Sequence, residues 1–141
     1  MRTDIKRTAL NITTYCNLKC KHCLAFIPYY DKKFIMSIEE AGKILSAYFQ
    51  VVDSVEHFTV TGGEPLLNKD CAQILEEVHK YENQITGSVD FVTNGTMEIP
   101  DDIISVLAKH IDKTKVVLSN YGEKLSKKID IIEETLKQNG I

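Results

Sequence analysis

Four times along its 141 residues the chain passes from a short β-rich run into a longer stretch with helical spacing. The β-rich runs cover residues 9–13, 57–61, 89–93 and 115–119. After the first run and its loop, Ser37-Ile38-Glu39-Glu40 has the form of a capping box, in which Ser and Glu satisfy orphan N–H groups at a helix start. Apolar residues then recur on one helical face at Ile38, Ala41, Leu45, Tyr48 and Phe49. A second helix is predicted over about residues 70–81, with Ile74, Leu75 and Val78 inward. Pro100-Asp101-Asp102 opens a third, because Pro suits a first turn and acids favour its positive end. Ile103, Ile104, Leu107 and Ile111 form its apolar face, and a last helix carries Leu125, Ile129, Ile132 and Leu136. Strand–helix units in series predict an α/β fold with a parallel sheet and right-handed crossovers.

In such sheets ligands bind beyond the carboxyl ends of the strands. The segments that follow the four runs hold Cys16, Cys20 and Cys23, then Gly62-Gly63-Glu64-Pro65, then Asn94-Gly95, then Asn120-Tyr121-Gly122. Every unusual segment therefore falls on one rim. Asn94-Gly95 is followed by a helical pattern rather than a partner strand, which argues against a hairpin turn.

Length and composition narrow the options. The chain is long enough for one domain with a core and too short for two ordinary ones. A hydrophobic fraction of 43% with 26% charged residues suits a soluble globular protein. The balance of 17 Lys+Arg against 20 Asp+Glu argues against a duplex nucleic acid partner. No apolar run is long enough to span a bilayer, and the first seven residues do not lead into a secretory signal, so no membrane partner and a cytoplasmic location are expected. The tail Gln138-Asn139-Gly140-Ile141 reads as a helix C-cap entering another strand. The sheet is thus expected to be truncated, with an open edge, an uncovered apolar flank, and a homodimer through that edge as one outcome.

Three of the four cysteines lie within eight residues, and Cys71 stands apart. In a reducing compartment such crowding points to metal rather than disulfide. Three is the informative number. Structural zinc sites and electron-transfer clusters normally take four protein ligands, whereas three thiolates on a four-iron cluster leave one iron open. His22 could complete a zinc site, so a zinc-binding or inactive cluster-binding structural module is the alternative. Cys71 is expected in a helix outside the sheet as a small buried residue. Residues 1–33 carry seven Lys/Arg against two acids, either a solvated face or a field that favours thiolates and an anionic ligand.

The Cys16-x3-Cys20-x2-Cys23 spacing, on the loop after a first strand, resembles the signature of the radical S-adenosylmethionine (SAM) superfamily. The family carries an aromatic residue before the last cysteine, and His22 takes that place. Thr61-Gly62-Gly63-Glu64-Pro65 resembles the family's GGEP motif. A glycine pair alone signals a turn, but missing side chains also let a ligand reach backbone carbonyls, acceptors suited to an ammonium group. The resemblance implies that residues 1–141 are the N-terminal portion of a radical SAM core, a partial parallel (β/α) barrel of about four βα units. It implies a [4Fe-4S] cluster on Cys16, Cys20 and Cys23, and SAM against Gly62, Gly63 and Glu64. His22 would lie on the adenine and Asn94 would hold the ribose or carboxylate. Ser119 and Asn120 are either a further SAM contact or a solvated loop. The implied activity is reductive cleavage of SAM to methionine and a 5′-deoxyadenosyl radical, which takes hydrogen from a small-molecule or peptide substrate. Flavodoxin or ferredoxin would donate the electron.

Some residues fall outside this scheme. Phe26, Pro28, Tyr29 and Tyr30 suggest a packed aromatic lid over the metal or, alternatively, substrate contacts. His57, His79 and His110 occur singly, without ligand spacing, as structural or surface residues. Asn94-Gly95-Thr96 and Asn11-Ile12-Thr13 match glycosylation acceptors that a cytosolic protein would leave unused.

Overall fold

A computed structural model describes residues 1–141. Its strands are β1 (Asp4–Asn11), β2 (Ser54–Thr61), β3 (Ile85–Thr93) and β4 (Thr114–Leu118), all parallel in the order β1-β2-β3-β4. Between and after them run α1 (Ile38–Val51), α2 (Cys71–His79), α3 (Asp101–Lys109) and α4 (Ile129–Gln138). Neighbouring strands are consecutive in sequence, so crossovers of one hand place the helices on one side of the sheet.

The apolar row Leu10–Val60–Phe91–Val116 crosses all four strands, with Phe58 and Val89 paired beside it. Helix α1 brings Ala41, Leu45 and Phe49 to this face, α2 brings Ile74, Leu75 and Val78, and α3 brings Ile103, Ile104 and Leu107. Each fully buried side chain of this size contributes about 1.5–3 kcal/mol. The capping box of α1 forms as expected: Ser37 Oγ accepts from the Glu40 amide at 3.3 Å, and Glu40 accepts from the Ser37 amide at 2.8 Å.

Element ends differ from expectation at three places. Strand β1 covers residues 4–11 rather than 9–13, because this edge strand is half exposed and its early residues, with Lys6 and Arg7, carry no apolar run. Helix α4 begins at Ile129, not near Leu125, which is 49% exposed in the rim loop that precedes it. Ile111 lies beyond the end of α3 and is 40% exposed.

The face opposite the helices corrects one expectation in part. Beside the apolar pair Val92–Val117 it carries the paired rows Arg7–His57–Ser88 and Ala9–Thr59–Asp90–Lys115, so the flank is only in part apolar. Ser88 Oγ donates to Asp90 Oδ1 at 2.6 Å and lies 2.9 Å from His57 Nδ1. Polar side chains alternate with buried ones along each strand, so the uncovered face is compatible with water. No helix of the fold is long and apolar enough to cross a membrane.

Candidate functional site

The cysteines sit on a loop with a closed neck at the carboxyl end of β1. The Ile12 amide continues the β1–β2 ladder by donating to Thr61 O at 2.8 Å. Thr13 then pairs antiparallel with Ile35. The Thr14 amide donates to Phe34 O at 3.0 Å, and the Phe34 amide returns to Thr14 Oγ1 at 2.8 Å. Buried Asn68 clamps both limbs, donating from Nδ2 to Ile12 O at 2.8 Å and to Met36 O at 2.9 Å. Residues 15–33 therefore stand over the sheet as one excursion with tied ends.

The glycine pair is what lets that loop lie down. The Gly63 amide donates to Thr13 O and the Glu64 amide to Tyr15 O, each at 2.8 Å. A Cβ on Gly62 would lie 2.6 Å from Thr13 O, and one on Gly63 would overlap the Tyr15 carbonyl and lie 2.9 Å from Cys16 Cβ. The missing side chains thus face the loop's backbone, rather than only opening carbonyls to a ligand.

Cys16, Cys20 and Cys23 line one cavity of about 270 Å³, and Gly62 and Gly63 form part of its wall. His22, Asn94 and Ser119 line it too. The three cysteines are free and partly exposed. The Leu18 amide donates to Cys16 Sγ at 3.4 Å, and Asn94 Nδ2 lies 3.9 Å from the same sulfur. Burial pushes the Cys16 thiol up against the opposing Leu18 hydrogen bond, and the nearby Glu64 carboxylate adds to the rise. Of the expected cations, Lys33 donates to Thr14 O and Ile27 O, and Lys19, Lys21 and Lys32 are exposed.

Two of the expected contacts are already engaged within the protein. Glu64 is fully buried and does not line the cavity. Its carboxylate accepts from Thr93 Oγ1 at 2.8 Å, from the Asn94 amide at 2.8 Å and from the Leu66 amide at 3.2 Å. Burial still pushes its pKa up against these bonds. Asn94 Nδ2 donates to Asn17 Oδ1 at 3.0 Å, while its Oδ1 accepts from Thr96. Both ends of that amide are thus held by the rim itself.

Sequence reasoning missed Asn17, Asn68 and Ser126. Ser126 is buried and donates to Asn94 O at 2.8 Å while accepting from the Tyr121 amide at 2.9 Å, joining the third and fourth rim segments. A serine in a polar loop carries no local signal of this. Asn17 could have been noticed as the neighbour of the first cysteine.

Other residues resolve simply. Cys71 is 1% exposed at the start of α2, outside the cavity, and burial pushes its thiol up to about 12. The aromatic lid does not form as a packed layer: Phe26 is 66% exposed, Tyr29 71% and Tyr30 46%. His79 and His110 are not isolated, since their rings stack at the end of the sheet opposite the cysteines.

The family model described as "Radical SAM superfamily" matches residues 10–135. A protein named GTP 3′,8-cyclase from Campylobacter jejuni subsp. doylei is 26% identical over 131 residues, covering 90% of this chain and 40% of that protein. A "Probable GTP 3′,8-cyclase" from Methanococcus vannielii is 33% identical over 94 residues, covering 67% of this chain and 30% of that one. The chain thus spans about two fifths or less of the length of these relatives. Among solved structures, BtrN in complex with AdoMet and 2-DOIA superposes with a TM-score of 0.58 at 17% identity, covering 86% of this chain and 48% of that one. Methylornithine synthase (PylB) gives a TM-score of 0.52 at 15% identity, over 98% of this chain and 42% of that one. Both likenesses concern the fold.

Proposed function

The chain belongs to the radical SAM superfamily, whose cofactors are a [4Fe-4S] cluster and SAM, and on that premise we propose that residues 1–141 act as a radical SAM enzyme core. The observation that carries the reading is the shared cavity of Cys16, Cys20, Cys23, Gly62 and Gly63. The donor set fits the cluster, because three thiols converge on one cavity and Cys71, the remaining cysteine, is buried elsewhere. The chemistry supplied when both cofactors are bound is one-electron cleavage of SAM, giving a 5′-deoxyadenosyl radical that takes hydrogen from substrate.

The chain's own residues place and shield. Cys16, Cys20 and Cys23 hold the metal, and the tied neck at Thr13, Thr14 and Phe34 keeps the loop in position beforehand. Gly62 and Gly63 bring β2 against that loop and would border SAM. Glu64 acts as a positioning residue, joining the end of β2 to the end of β3. His22 and Ser119 line the same cavity and would hold the nucleoside side of SAM. Asn94 holds Asn17 and Cys16 from the opposite wall.

The polar sheet face, with Arg7, Asp90 and Lys115, suits a charged, hydrogen-bonding substrate. GTP, in the names of the curated relatives, is the first to assay. Exposed Lys21 beside exposed Leu24, Phe26 and Tyr29 suits an electron donor of negative charge, such as flavodoxin or ferredoxin.

Anaerobic reconstitution tests the reading. The expected product is brown, holds about four irons and four sulfides per chain, gives an EPR signal that SAM perturbs, and forms 5′-deoxyadenosine with a strong reductant. A colourless protein with one zinc would establish a zinc module instead. A full cluster that never forms 5′-deoxyadenosine would establish an inactive cluster-binding fragment.

A further inference from the structure

At the end of the sheet away from the cysteines, three metal-ligating side chains meet that no part of the proposed reaction uses. His79 is the last residue of α2, Glu82 lies in the turn into β3, and His110 caps α3. One ligand atom from each lies within 4.8 Å of the others. Glu82 Oε2 is 3.8 Å from His79 Nδ1 and 3.4 Å from His110 Nδ1. The two imidazole rings are parallel, 5° apart, with centroids separated by 3.9 Å.

The far nitrogens are already engaged. His110 Nε2 lies 3.3 Å from Glu76 Oε2, a carboxylate that can only accept, so this nitrogen carries the proton. His79 Nε2 faces Thr114 Oγ1 at 3.5 Å. The side chain of His79 is 1% exposed, and its Nδ1 is buried with no hydrogen-bond partner. Both Nδ1 atoms lie on the Glu82 side of their rings, within 4 Å of its Oε2. A buried ring nitrogen without a partner is unfavourable, and a cation held among these three ligand atoms would give it one.

We propose that His79, His110 and Glu82 form a binding site for one divalent first-row metal ion, of the zinc class, that clips the ends of α2 and α3 together. Two imidazoles and one carboxylate are a known donor set for Zn²⁺, with a fourth position left to water. Glu76 behind His110 and Thr114 behind His79 supply the outer contacts that such ligands use. Glu82 is 43% exposed and gives the ion a way in. The parallel rings must open for both lone pairs to reach one ion. His110, with 16% of its side chain exposed against 1% for His79, is the less enclosed ring.

The test is titration of the full chain with Zn²⁺ alone, read by ¹⁵N imidazole signals, which separate this site from zinc on the cysteines. Saturable shifts of the His79 and His110 Nδ1 signals are expected, with those of His57 unmoved. A parallel Zn²⁺ titration by calorimetry uses a chain in which Cys16, Cys20 and Cys23 are all serine. There His110→Gln and Glu82→Gln should each weaken binding by more than about tenfold, the least that losing even an outer contact to a ligand costs. Both positions are partly exposed, so these variants remain folded even if His79→Gln does not. Unmoved Nδ1 signals, or affinity unchanged in both variants, would overturn the site and leave a proton-sharing His–Glu cluster. Neither readout involves SAM or the iron–sulfur cluster.

Discussion

The carboxylate of Glu64 reaches from the end of β2 to the backbone amide of Asn94, 2.8 Å away at the end of β3. With Thr93 Oγ1 on its other oxygen, it fastens together two rim segments that both border the cysteine cavity. Glu64→Gln places an amide N–H among groups that donate. It should lower unfolding free energy by about 2–3 kcal/mol, read as a lower urea midpoint at unchanged slope. A variant as stable as the wild type would remove the structural role.

Two glycine-to-alanine changes should part in opposite directions. Gly63→Ala drives a methyl group into the Tyr15 carbonyl and against Cys16 Cβ. Its iron content after reconstitution should fall to a small fraction of wild type, with far-UV circular dichroism retained. Gly42 lies inside α1 with its nearest neighbour, Glu77 Oε1, at 3.7 Å. Gly42→Ala should add about 0.5–1 kcal/mol of stability and leave iron content unchanged.

His79 makes metal-free stability depend on pH. Burial and the neighbouring charge of His110 push its pKa down to about 4, against opposing pulls from Glu82 and Glu76, with Lys109 adding to the depression. The unfolded chain takes up this proton near 6.5, the ordinary value, so between the two it binds more protons than the folded chain. Stability therefore falls as pH drops through that window, by up to about 1.4 kcal/mol per unit. Denaturant midpoints across the window should show this slope, and His79→Gln should flatten it.

The open sheet face can be tested apart from the cofactor cavity. Arg7 and Lys115 are exposed, so Arg7→Ala and Lys115→Ala should change stability by no more than about 0.5 kcal/mol. Substrate turnover should fall severalfold while uncoupled formation of 5′-deoxyadenosine continues. An equal loss in both assays would remove this face from substrate binding.

The alternation of β-rich runs and helical spacing made the parallel sheet and the rim legible, because each strand's buried half is built from residues such as Val60, Val89 and Phe91. The reach of β1 was not legible, since an edge strand with Lys6 and Arg7 lacks that pattern. At the site, cysteine spacing and the glycine pair announced themselves locally. What holds them did not: Asn68, Ser126 and the Glu64 carboxylate act across 32 residues or so of intervening chain, through bonds to backbone groups. The pairing of His79 with His110 depends likewise on two helices ending side by side.

Because the loop's limbs are tied through Thr13, Thr14, Phe34 and Asn68, the closure of its neck draws on no sulfur and so on no metal. Loading then resembles filling a finished socket rather than folding around a nucleus. Oxygen damage that strips the iron would leave a shell able to be recharged, and repair of the holoprotein could proceed without passing through an unfolded chain.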